Sequence, residues 1–129
     1  MDPSYLTDTT DAAKVMRRFL FAGGVLVADA SGGISKEEVA TLEKFLGPGA
    51  IDRANPQAIR EALPRMVQSM LDEVPPLRRG QVVRDLCIVA LADGRVDPEE
   101  ERVLNELATA LGVDTSLVAR TLSSARPLD

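Results

Sequence analysis

Acidic side chains crowd two short stretches of this chain, and these are the residues whose types and spacing could do chemistry. In the first, Asp29 stands ahead of Ala30-Ser31-Gly32-Gly33-Ile34, and Glu37 and Glu38 follow; in the second, Asp93 stands ahead of Gly94-Arg95-Val96, and Asp97, Glu99, Glu100 and Glu101 follow. Pooled carboxylate oxygens suit a hard divalent cation such as Ca²⁺ or Mg²⁺, which makes Asp29, Glu38, Asp93 and Glu100 the candidate metal ligands. The same residues have a purely structural reading. Ser35 with Glu38, and Asp97 with Glu100, have the spacing of capping boxes, in which each side chain satisfies a backbone donor at a helix start. Gly32, Gly33 and Gly94 allow positive φ in a turn. Gly32, Ile34 and Glu38 also imitate the later part of an EF-hand loop, but Val27 would occupy its first ligand position, and Val89 and Leu91 fill the first and third in the second copy. A standard EF-hand is therefore not expected.

Other chemistries are excluded by what the chain lacks. It contains no histidine, so imidazole-ligated zinc, Ser-His-Asp triads and Cys-His pairs cannot form within it. The single cysteine, Cys87, lies in the apolar run Leu86 to Leu91 and reads as a buried thiol suited to a reducing cytoplasm. No nucleophile-base pair, phosphate-cradling loop or cofactor fingerprint occurs, so the chain is expected to be non-catalytic. A net charge of −5 disfavours nucleic acid as a partner, which leaves proteins. The basic residues are mostly Arg, and Arg78, Arg79 and Arg84 read either as solvated surface or as a partner-contacting patch. A Met66/Met70 stripe is a second candidate contact face, or simply core.

Several helices must position these groups. Asp11 is expected to cap a first helix, whose apolar positions Val15, Met16, Phe19, Leu20, Leu26 and Val27 recur at helical spacing up to Asp29. Gly23-Gly24 inside it predict a close helix-helix approach. Ser35 opens a second helix that Gly47-Pro48-Gly49 stops, and Asn55-Pro56 opens a third, which Pro64 is expected to kink or split. Val74-Pro75-Pro76 ends that one, and a largely apolar helix follows over about residues 77–92. Asp97-Pro98 starts the next, Gly112 stops it, and Asp114 caps the last. No segment alternates as a strand would, and only four of the 129 residues are aromatic. The expected fold is all-α: a single compact bundle of about six to seven helices over residues 1–129, with residues 1–10 flexible. Arg17-Arg18 ahead of the apolar stretch Phe19 to Ala28 imitate a secretory leader. Asp2, Asp8 and Asp11 do not suit one, and the stretch is too short to span a bilayer, so no membrane insertion is expected.

The stretch from Val25 through Asp29 to Glu38 matches Val89 through Asp93 to Glu100 once two residues are skipped after Ala30, and an apolar residue, Leu42 or Leu104, follows four positions later in each. The chain thus reads as two helix-turn-helix repeats, about 12–47 and 77–112, joined by the proline-containing helix. The second copy, Leu91-Ala92-Asp93-Gly94-Arg95-Val96-Asp97-Pro98-Glu99-Glu100 with Leu104, Leu107-Ala108 and Leu111-Gly112-Val113, resembles the TerB-like (tellurite-resistance) domain. The first copy is similar to that family's N-terminal half, and the likeness covers roughly residues 12–124. The resemblance implies about seven helices in pseudo-two-fold halves, with acidic residues at the Asp-Gly turns as metal ligands. It also implies an occurrence alone in stress-response systems, or fused to DnaJ-like co-chaperones or HtpX-type membrane metallopeptidases. The insertion of Ala30-Ser31 departs from the Asp-Gly pattern at the first turn. The function expected from residues and resemblance together is a cytoplasmic interaction module with a weak divalent-cation site; the alternative is a metal-free protein-interaction or accessory domain.

Overall fold

The structure is a computed structural model describing residues 10–30, 32, 35–46, 55–94 and 96–125. Among the described residues six α-helices follow in order: α1 Asp11–Ala30, α2 Lys36–Leu46, α3 Pro56–Glu73, α4 Pro76–Ala90, α5 Pro98–Ala110 and α6 Ser116–Ala125; a 3₁₀ turn, Leu91–Asp93, extends α4. There are no strands among the described residues, so the fold is all-α. None of the described helices is long and apolar enough to cross a membrane. The N-terminal residues expected to be flexible, and the Gly47-Pro48-Gly49 stop, lie outside the described residues, apart from Thr10.

The local rules for helix ends account for most boundaries. Asn55 Oδ1 accepts from the Ala58 N–H at 3.2 Å, and Pro56, which has no N–H to leave orphaned, takes the first helical position of α3. Asp114 Oδ1 accepts from the Ser116 N–H at 2.8 Å and opens α6. At α1 the cap is not Asp11 but Thr10, whose hydroxyl accepts from the Ala13 N–H at 3.3 Å; Asp11 is already helical, and its charge suits the positive end of the helix dipole. Gly112, at φ +71°, ends α5 in the left-handed conformation that glycine adopts without strain.

Pro64 does not split or end α3, which runs unbroken from Pro56 to Glu73. Both Pro64 and Arg60, whose carbonyl loses its partner, are exposed, so the freed oxygen lies on the solvent side. Ile59, Leu63, Met66, Val67 and Met70 meanwhile anchor the other face in the core.

α1 is the hub of the bundle, packing against α3, α4, α5 and α2, while α4 packs in turn against α6 and α5. Phe19, Met16 and Leu20 of α1 meet Leu86 of α4, Leu104 and Leu111 at the α5 side, and Leu122 of α6 in one contiguous core. The glycine pair is where helices touch. A Cβ on Gly23 would lie 2.9 Å from Leu86 Cδ2, and one on Gly24 would lie 2.9 Å from Leu42 Cδ2. The lost helix propensity, about 1 kcal/mol per glycine, is offset by close packing of α1 on α4 and α2.

Candidate functional site

The two turns are built alike. Gly32 stands at φ +94° and donates its N–H to the Asp29 carbonyl at 3.1 Å; Gly94 stands at φ +92° and donates to the Leu91 carbonyl at 2.9 Å. Three residues later each chain reaches its cap. Ser35 Oγ accepts from the Glu38 N–H at 3.1 Å while Glu38 Oε1 accepts from the Ser35 N–H at 2.9 Å. Asp97 Oδ1 accepts from the Glu100 N–H at 3.0 Å while Glu100 Oε1 accepts from the Asp97 N–H at 3.2 Å. Both capping boxes read from the sequence are thus formed in full. Aligned on these glycines, Ser31 rather than Asp29 holds the position that Asp93 holds in the second turn.

Capping glutamates are ordinarily surface residues, yet these two are 2% and 3% exposed. α2 lies on the 3₁₀ turn and on α4, and the two carboxyls come within hydrogen-bonding reach. Each spends Oε1 on its own cap, and both Oε2 atoms are buried without a partner. Two ionised carboxylates can only accept, so neither can satisfy the other. The Glu100 carboxyl is pushed up to about 7, first by burial and then by the nearby Glu38 charge, against the opposing pull of the Asp97 N–H. The arrangement lacks one positive charge, and a proton or a cation placed between the two oxygens would supply it.

A family model described as "Tellurite resistance protein TerB" matches residues 17–122. The chain belongs to the TerB family. No curated protein and no solved structure matches it.

The other two candidate ligands of this TerB domain are placed differently from the glutamates. Asp29 is held by the Arg60 guanidinium of α3 in a partly exposed ion pair. Asp93 lies in the 3₁₀ turn, and its side chain is outside the described set. Among the described residues no third acidic or thiol side chain joins the pair into a larger cluster. Arg60, thirty-one residues from Asp29, carried no signal in the sequence, because nothing local links the two. Two of the arginines that read either as solvated surface or as a partner-contacting patch have partners within the fold. Arg79 turns inward, donating from Nε to the Val74 carbonyl at 2.9 Å and from Nη1 to the Leu111 carbonyl at 2.7 Å, so it clasps the ends of α3 and α5. Arg84 stands 3.8 Å from Asp85. Of the methionines, Met70 is fully buried in the core, and Met66 is half-buried at its edge. Cys87 is buried as well; its thiol is pushed up to about 12, chiefly by burial and then by the charges of Asp85 and Glu101.

Proposed function

We propose that this TerB domain is a non-catalytic binding module whose two halves are joined across a buried carboxyl pair that takes up a divalent cation. The observation that carries this reading is the two unpartnered Oε2 atoms of Glu38 and Glu100. Two buried carboxylates presenting free oxygens are hard donors suited to Mg²⁺ or Ca²⁺, with the remaining coordination left to water and backbone. So small a donor set gives weak binding, and the Arg60 pair keeps Asp29 occupied elsewhere. When bound, the cation supplies the positive charge that the pair lacks and ties the start of α2 to the start of α5. The absence of histidine from the whole chain supports the non-catalytic part. The lone buried thiol supports a reducing compartment, and hence the cytoplasm.

A metal-free reading has its own observation, the Glu100 carboxyl near 7: a single shared proton also satisfies both oxygens, and the domain then acts purely through protein contacts. Calorimetric titration with Mg²⁺ and with Ca²⁺ at about pH 8, beside melting curves, separates the two. Saturable heat and a raised midpoint, both lost in Glu38→Gln with Glu100→Gln, are the expected result; at a hundredfold excess over Kd the gain is about 2.7 kcal/mol. No heat and no shift at millimolar metal would leave the proton-sharing, metal-free module.

A further inference from the structure

Most of the described arginines are engaged: Arg60 with Asp29, Arg79 with two carbonyls, Arg84 with Asp85, Arg102 with Glu99 and Glu106, and Arg120 with the Ser116 carbonyl. Arg18 and Arg65 are exceptions. Neither makes a hydrogen bond or ion pair with another side chain among the described residues, both are exposed, and they come from different helices to line one cleft of about 280 Å³ between α1 and α3. Val15 and Met66 give that cleft an apolar lining, Ser69 adds a hydroxyl, and Glu73 also lines it, two turns beyond Arg65 on the same side of α3.

We propose that this cleft is a docking site for a short acidic-apolar peptide segment of a partner protein, with a carboxylate held between Arg18 and Arg65. Two guanidiniums beside an apolar surface match a carboxylate flanked by an apolar side chain, and Arg pairs with carboxylate through parallel charge-assisted hydrogen bonds. Glu73 decides between anions. A polyphosphate or nucleic-acid backbone would bring unbroken negative charge against it, on a chain whose net charge is already −5. A peptide instead brings amide N–H groups that Glu73 can accept. From Arg65 to Glu73 the helix rises about 12 Å, the span of roughly four extended residues, so the recognised segment is short. The site shares no residue with the Glu38 and Glu100 pair and stands whether or not that pair binds a cation.

The test is fluorescence anisotropy of the full chain with a fluorescein-labelled hexapeptide of alternating Leu and Glu, beside the same peptide carrying Gln for Glu, and inorganic polyphosphate as competitor. Saturable binding of the Leu/Glu peptide is expected, weakened about tenfold or more by the Gln peptide and by joint Arg18→Glu and Arg65→Glu substitution, with joint Lys44→Glu and Arg120→Glu substitution at exposed positions as the control for net charge. The milder Arg18→Gln and Arg65→Gln pair, with melting curves taken alongside, reads the same loss should the reversal disturb folding. The proposal is overturned by no saturable binding at millimolar peptide, by equal binding of the Gln peptide, or by an equal loss in the Lys44→Glu and Arg120→Glu control. Tighter binding of polyphosphate than of peptide overturns it in favour of a phosphate-polymer site.

Discussion

Glu100 does two jobs with its two oxygens, and the jobs conflict. Oε1 caps a helix and favours the ionised form, while the burial of the carboxyl, with Oε2 left unpartnered, and the nearby Glu38 charge favour the protonated one. The sign of the consequence follows from linkage. The folded value near 7 lies above the ordinary 4.5, so between these two values the native state binds more protons than the unfolded chain, and stability falls as pH rises. The group's contribution is most favourable below about 4.5 and is lost as pH climbs through about 7, a change of about 1–3 kcal/mol. Glu100→Gln keeps the cap acceptor and gives Glu38 an N–H donor, so urea unfolding should show the variant gaining on the parent between about pH 5 and pH 8. Profiles that stay parallel over that range would mean the pair does not share a proton.

At the scale of elements, each of the two turns holds a glycine in the left-handed region, Gly32 and Gly94. Gly94 at φ +92° has open space around the position of a Cβ, so Gly94→Ala tests backbone conformation free of any clash. The left-handed region costs an L-residue about 1–2 kcal/mol, and chemical denaturation should report a loss of that size; Gly32→Ala, at φ +94° with equally open space, should behave the same way. An unchanged midpoint in both would show that the turns relax into another shape. The capping boxes that follow these glycines fix where α2 and α5 begin and so aim Glu38 and Glu100. A helix start displaced by one residue would swing its glutamate by about a quarter turn and away from its partner.

For the whole molecule, elements far apart in sequence are fastened at polar points. Arg79, in the first turns of α4, reaches the carbonyls of Val74 and Leu111, so one guanidinium closes the ends of α3 and α5 together. Arg79→Met keeps the aliphatic stem but leaves both carbonyls without that donor, and a loss of about 1.5–3 kcal/mol is expected in thermal unfolding. A loss confined to a few tenths would show that water replaces the guanidinium freely.

The helical class, the two glycine turns and the reciprocal caps are legible along the chain, since each depends on residues within about four positions of one another. Gly23 and Gly24 even announced the close approach of helices, because glycine inside an apolar helix has little other use. Tertiary structure alone decided what the side chains do next. Pro64 reads as a break but is carried through by the apolar anchors on the opposite face of α3. Asp29 looks like the twin of Asp93 yet is claimed by Arg60. That Glu38 meets Glu100 oxygen to oxygen, or that Arg18 and Arg65 share a cleft, is invisible along the chain, because such pairings depend on how helices pack across a core and not on the order of residues within any one helix.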